Sequence, residues 1–278
     1  MPGQTGRSIS CKMNPMARPH RRAALSTAAF IVLAAGCGSG APGATAGGIP
    51  LVQAGQLTTC TGLPYEPFQF ERDGKVVGFD VDVVDLVAKD LGVTQQIVDT
   101  PFDGIQSGAD LNAGKCDLAA AGMTITEVRE QNFDFSTPYF DATQALVAKK
   151  GSGLASTEQL KGKRLAVQNG TTGQRYAEQN APDAEIVVFE DLGLLLTAVE
   201  TGDVDAGIND NGVLYDWVNK KSGFEIVAEF DTNEQYGIGV KTGNTALLNK
   251  INEVLAEAKS NGEYSRIYEK WFKKKPTS

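Results

Sequence analysis

Two rhythms alternate along residues 51–278. Short runs that read as strands, Leu57–Cys60, Gln95–Val98 and Asp117–Ala121, are separated by stretches whose apolar residues recur at helical spacing. In the first helical stretch Asp80 stands as the N-cap, Val84, Val87 and Leu91 share a face, and Gly92 ends the helix; another helix begins near Asp103. The pattern then repeats. Strands over Arg164–Val167, Glu185–Phe189 and Val204–Ile208 enclose helices over Thr172–Asn180 and Asp191–Thr201, the latter with Leu195, Ala198 and Val199 on one side. Alternation of this kind predicts an α/β architecture with its functional loops at the carboxyl ends of the strands. Two βαβαβ units joined by extended segments predict two lobes around a cleft. Beyond Thr245, Leu248, Ile251, Leu255 and Ala258 are spaced as a core face, with no visible chemistry.

The chemistry concentrates where the third strand breaks, in AAAGMTITEVREQNFDFSTPYF (119–140). Gly122 has no Cβ, so a ligand can approach its backbone. Thr126 is placed to cap a helix, with Glu127 in the first turn, where a helix N-terminus favours negative charge. Arg129 then lies in that first turn, just past a strand end, and its fork matches a carboxylate. The same sequence is also compatible with a surface helix carrying an ordinary arginine. On the second unit, Gly170-Thr171-Thr172 lies between a strand and a helix, where first-turn amides and threonine hydroxyls can donate to an anion. No GK[ST] follows, which excludes a P-loop. Asp210 lies just past the strand Val204–Ile208, suited either to an ammonium group or to capping the next helix.

The first 36 residues change the composition. Arg18, Arg21 and Arg22 precede an apolar run, Ala23–Ala35, of signal-peptide length and too short to span a membrane as a helix. LAAGC (33–37) resembles a lipobox with Cys37 as the lipidated residue, although Ala34 stands where Leu is usual; a cleaved signal without lipid is the alternative. Met16 offers a second start with a more typical charged region. Residues 37–50, rich in Gly, Ala and Pro, read as a flexible tether. The whole chain carries a formal charge of −8, and the leader removes basic residues but no acid, so the remainder is strongly acidic and unsuited to nucleic acid. The single histidine, His20, lies in the leader, which excludes a Ser-His-Asp triad or a histidine metal ligand downstream. Neither a metal nor a cofactor is expected. Cys60 and Cys116 remain in a compartment where disulfides persist; each lies at or beside a strand of one lobe, and neighbouring-strand register leaves their pairing open.

Several segments in order, PYEPFQF (64–70), GKVVGFDVDVVDLVAKDLG (74–92), GMTITEVREQNFDFSTPYF (122–140), QNGTT (168–172), VDAGIND (204–210), YGIGV (236–240) and NGEYSRIYEKWF (261–272), resemble the extracellular solute-binding proteins, family 3, the amino-acid receptors of ABC importers. The resemblance implies a two-lobed type II periplasmic-binding-protein fold hinged by two crossings, near 139–145 and 232–236. Residues 51–142 and 234–278 then form lobe one and 143–233 lobe two. It also implies a site. Arg129 and the Thr171/Thr172 loop hold the ligand carboxylate. Asp210, the Gly122 carbonyl and the Thr124 hydroxyl hold its ammonium, with Met123 between them also counted as a ligand-binding position. Tyr65 and Phe102 flank the ligand, and Gln168 and Asn209 vary with its side chain.

Gly62 stands where several binders of basic or amide side chains place Asp, and no spare Lys or Arg marks the matched positions. The expected ligand is therefore a polar, uncharged amino acid such as glutamine. The expected partners are a permease and its ATPase, with the protein a monomer held on the outer face of the cell membrane by lipid. Two other readings share the scaffold. Cyclohexadienyl dehydratases need a general acid in the cleft, and beyond Asp210 no extra carboxylate stands out among the matched positions. A sensor presenting an amino acid to a signalling partner has no distinguishing sequence mark.

Overall fold

The computed structural model describes residues 45–276. The leader and Cys37 lie outside the described residues. The assigned tether is only partly so: β1 (Thr45–Ala46) and β2 (Ile49–Pro50) pair as a small antiparallel hairpin. Ala46, Ile49 and Leu51 are buried against the core, so apolar contact overrides the flexible composition there.

Two five-stranded sheets carry the two lobes. In the first, β3 (Gln56–Thr61) lies between β6 (Thr94–Asp99) and β7 (Leu118–Ala119), parallel to both; β14 (Gly239–Val240) then runs antiparallel between β7 and β8 (Asp134–Phe135). In the second, β10 (Arg164–Gln168) lies parallel between β11 (Glu185–Phe189) and β12 (Ala206–Asp210), and β12 pairs antiparallel with β9 (Phe140–Lys149). β13 (Phe224–Tyr236) closes that sheet on β9, with a register irregularity between Phe230 and Glu234. Tyr236 then bridges to Thr124, and the chain returns through β14 to the first sheet. A small hairpin, β4 (Phe70–Arg72) with β5 (Lys75–Val77), leads into α1 (Phe79–Asp90).

Two helices of the second lobe begin at side-chain caps. Thr171 accepts from the Gln174 amide to start α5 (Thr172–Asn180), and Asp191 accepts from the Leu194 amide to start α6 (Leu192–Thr201). In the first lobe local preference is overruled. Gly78, not Asp80, is the N-cap of α1: its φ of +150° and a Cβ position only 1.9 Å from the Phe68 carbonyl oxygen leave room for glycine alone. Asp80 is instead buried inside the first turn. β7 is shorter than the predicted strand; at its start Asp117 turns its carboxylate onto the Val52 amide and the Thr58 amide and hydroxyl. The helix expected near Asp103 starts at Phe102 and is split into α2 (Phe102–Gln106) and α3 (Ala109–Asn112) by the left-handed Gly108. α4 is the short Glu127–Glu130 turn, capped by Thr126 as predicted.

Cys60 and Cys116 form a disulfide, with Cα atoms 5.6 Å apart. The bond joins the end of β3 to the loop before β7, within a core cluster shared with Phe102, Ile105 and Phe133. The C-terminal helices contribute more than their spacing shows. In α8 (Thr245–Asn261), Leu247 replaces Leu248 on the fully buried face beside Ile251, Leu255 and Ala258. α9 (Glu263–Phe272) sends Phe272 into an aromatic cluster under the crossings, where the Phe68 ring lies 4.9 Å from Phe140, 5.2 Å from Tyr236 and 5.5 Å from Phe272. Thus lobe one, both crossings and the C-terminal helix share one packed foundation beneath the cleft.

Candidate ligand-binding site

A cavity of about 230 Å³ lies between the lobes. Drug-sized ligands take pockets of about 300–1,000 Å³, so this one suits a smaller molecule. Of the sequence-predicted residues, Tyr65, Phe102, Gly122, Thr124 and Arg129 line it from lobe one, and Gln168, Thr171, Thr172 and Asp210 from lobe two. Two others are placed behind its wall. The Met123 side chain is fully buried in the core cluster with Phe133. Asn209 is buried between Tyr65 and Gln168, donating through Nδ2 to Gln168 Oε1 at 3.3 Å.

Arg129 is 2% exposed, although it lies in the short four-residue helix α4. Its Nη1 donates to the Thr124 carbonyl at 2.7 Å and its Nη2 to the Gly170 carbonyl of the other lobe at 3.1 Å. Nε is buried without a partner, and the guanidinium sits 5.3 Å from the centre of the Phe102 ring. Burial pulls its pKa down to about 10 despite the favourable field of Asp210, and it remains charged at neutral pH. It makes no ion pair among the described residues. A buried cation of this kind calls for an anion.

Asp210 ends β12 instead of lying beyond it and occupies the N-cap position of α7 (Asn211–Lys220), yet its side chain makes no cap bond. It is turned towards the other lobe. Tyr236 Oη donates to Oδ2, Tyr65 Oη lies 2.9 Å from both that oxygen and Asn209 Oδ1, and Gln144 Nε2 donates to Oδ1. Burial, and next the negative charge of Glu234, push its pKa up to about 7, against the lowering effect of those three donors. Gly122 closes this end. Its φ is +55°, and a Cβ there would stand 2.6 Å from Tyr65 Cε1, so the cleft needs glycine on both counts. Its amide donates to Asp80 Oδ2 at 2.7 Å. Buried Asp80 has its pKa raised to about 6, chiefly by desolvation.

The threonine loop and the acids of the wall add detail to the site. The Thr171 hydroxyl donates to the Gln168 carbonyl and that of Thr172 to Glu234 Oε2, both at 2.7 Å, so neither proton is free for a ligand carboxylate. The Gln174 amide is taken by the Thr171 cap, so the first-turn amides of Thr172 and Gly173, which have no intrahelical acceptor, are what α5 offers an anion. Further carboxylates also line the cavity: Asp99, Glu190 and Asp191. Asp99 accepts from the Leu63 amide and Asp191 caps α6. Gln69 is a lining residue the sequence did not single out. It is 1% exposed, donates to the Gly62 carbonyl at 3.3 Å, and keeps Oε1 buried without a partner. It stands directly between Phe68 and Phe70 in PYEPFQF, and nothing in that local pattern marks it as a ligand contact.

Residues 57–274 match the family described as bacterial extracellular solute-binding proteins, family 3. The chain belongs to that family. Within family 3, it is 38% identical over 208 residues to the ABC transporter glutamine-binding protein GlnH of Bacillus subtilis (strain 168), covering 73% of this chain and 75% of the relative. It is 35% identical over 214 residues to the arginine-binding periplasmic protein of Mannheimia haemolytica, covering 74% and 87%. Among solved structures, an ancestral arginine-binding protein bound to glutamine matches with a TM-score of 0.76 and 42% identity, covering 80% of this chain and all (100%) of that one. The ancestral amino-acid-binding protein AncCDT-1, a precursor of cyclohexadienyl dehydratase, matches with a TM-score of 0.72 and 35% identity, covering 78% and 95%. The family's two-lobed α/β fold is the one described above.

Proposed function

We propose that the protein is an extracytoplasmic receptor that captures a free L-amino acid between its lobes and delivers it to an ABC permease with its ATPase. One observation carries this reading. A buried, unpaired guanidinium and a buried carboxylate face one small cavity from opposite lobes, complementary to the two charged ends of a zwitterion. Closure about the crossings near 139–145 and 232–236, with lobe one at 51–142 and 234–278 and lobe two at 143–233, places both groups on the ligand at once.

The side-chain end supports glutamine. The unpartnered Gln69 Oε1 offers an acceptor for an amide N–H, and Gly62 contributes no charge. A cationic amino acid is the second reading, favoured by the acids at the cavity wall. Two of those acids are already bonded to backbone amides, which weakens it. Calorimetric titration with L-glutamine and L-arginine decides: tighter binding of glutamine is expected, the reverse order selects the cationic reading, and failure of both overturns the receptor assignment. Turnover is not part of the reading. Asp210, the buried acid of the cleft, is committed to three donors that hold it facing an ammonium. Absence of dehydration of arogenate or prephenate is the check.

The lipid anchor at Cys37 belongs to the same proposal, supported by LAAGC after an apolar run. Among the described residues no helix is long and apolar enough to cross a membrane. Cys37→Ser is expected to release the protein from the membrane fraction with unchanged ligand affinity; a variant still bound to membranes would refute the anchor.

A further inference from the structure

Glu234 lies on β13, at the bulged end of the second crossing, and is 8% exposed. A buried carboxylate usually pairs with a cation; this one makes no ion pair among the described residues. Its partners come from both lobes. Oε2 accepts from the Thr124 hydroxyl of lobe one and from the Thr172 hydroxyl of lobe two, each at 2.7 Å. Oε1 accepts from Gln144 Nε2 at 3.0 Å, the same amide nitrogen that donates to Asp210.

The direction of these bonds follows from chemistry. An ionised carboxylate only accepts, and a hydroxyl owns one proton. Both threonines therefore spend their protons on Glu234 and turn lone pairs outward. Thr124 lines the ligand cavity, so towards a ligand it is an acceptor and cannot donate.

We propose that Glu234 is a positioning residue of the ammonium subsite: it fixes the Thr124 hydroxyl as an acceptor for the ligand's ammonium, and it ties that orientation to closure by taking the Thr172 hydroxyl from the opposite lobe. The inference rests on the amino-acid reading above. It makes the subsite an acceptor cage of Thr124 and Asp210, with Glu234 adding negative charge behind it. The charged and titratable groups facing this pair are Tyr65, Tyr236 and Arg129 around Asp210, and Arg175, which shares a second cavity with Glu234.

Glu234→Gln, which keeps the shape and removes the charge, is titrated with L-glutamine and with glutaramic acid, the same molecule without its α-amino group. Affinity for L-glutamine is expected to fall about ten- to hundredfold, the worth of a charge-assisted hydrogen bond, while that for glutaramic acid changes little. Thr124→Val is expected to show the same split and serves if Glu234→Gln does not fold. A purely structural role would weaken both ligands equally, and that result, or an unchanged affinity for L-glutamine, overturns the proposal. One readout needs no ligand. In the free protein, the Asp210 carboxyl followed by NMR is expected to titrate at lower pH in Glu234→Gln than in wild type. An unmoved midpoint also overturns the proposal. If wild type binds neither L-glutamine nor L-arginine, the receptor reading fails and this midpoint still judges Glu234.

Discussion

Arg129→Ala is expected to weaken ligand binding by about 30- to 4,000-fold, from the roughly 2–5 kcal/mol that truncating one partner of a buried charge pair costs. The ligand-free protein should lose little. Arg129 belongs to a four-residue turn and to no core cluster, and among the described residues its guanidinium donates hydrogen bonds to two carbonyls and lies over the Phe102 ring. Removing a buried, unpaired cation also lifts a desolvation cost, so the melting temperature without ligand is expected to hold or rise. The analogue series sharpens this. A ligand lacking its α-carboxylate should bind wild type poorly and should bind Arg129→Ala no worse. If alanine leaves the affinity for the intact amino acid unchanged, Arg129 is only a strut between Thr124 and Gly170, and the zwitterion reading loses one of its two poles.

The contrast between legible and illegible parts of this site has a physical basis. Thr126, Thr171 and Asp191 are sequence-local caps, each accepting from the backbone amide three residues on; the pattern names Thr126 as a cap and places the other two at or just before the starts of their helices. Arg129 was readable for the same reason: a cap and a strand break fix its position. Asp80 reads as a cap by the same local rule, but the close approach of Phe68 to Gly78 moves the helix start back and turns the acid onto Gly122. That choice depends on a contact between loops, which spacing does not report. Gln144 and Glu234 carry a weaker signal. Each is a polar residue at a buried strand position, Gln144 within the apolar FDATQALVAK run. Such a residue announces a partner without naming it, and here the partners lie 66 and 110 residues away in sequence. Phe272 was likewise visible only as the last residue of NGEYSRIYEKWF, because its role comes from packing beneath both crossings.

Ligand affinity is expected to fall about tenfold for each pH unit below pH 7, the cost of removing one proton from the site. Asp210 is the group responsible. Its pKa is raised from 3.8 to about 7 by burial first and by Glu234 second, so below neutrality the free protein holds it protonated. A ligand ammonium needs the carboxylate, and binding at pH 6 therefore expels nearly one proton. The sign for stability is opposite. Because the folded pKa is raised, the contribution of Asp210 to ligand-free stability is fully present below about pH 4 and is lost as pH rises through about 7. Asp80, raised to about 6, adds a loss of the same sign over a lower window. The two groups are separated by Asp210→Asn, which should bind weakly but without the pH slope, while the Asp80 part of the stability profile persists. Calorimetry at pH 6 in buffers of different ionisation enthalpy counts the protons directly, with nearly one released by wild type and none by Asp210→Asn. A wild-type affinity that stays flat from pH 5 to pH 8 would show Asp210 already ionised in the empty cleft, and the paired-carboxylate account of the ammonium subsite would fall with it.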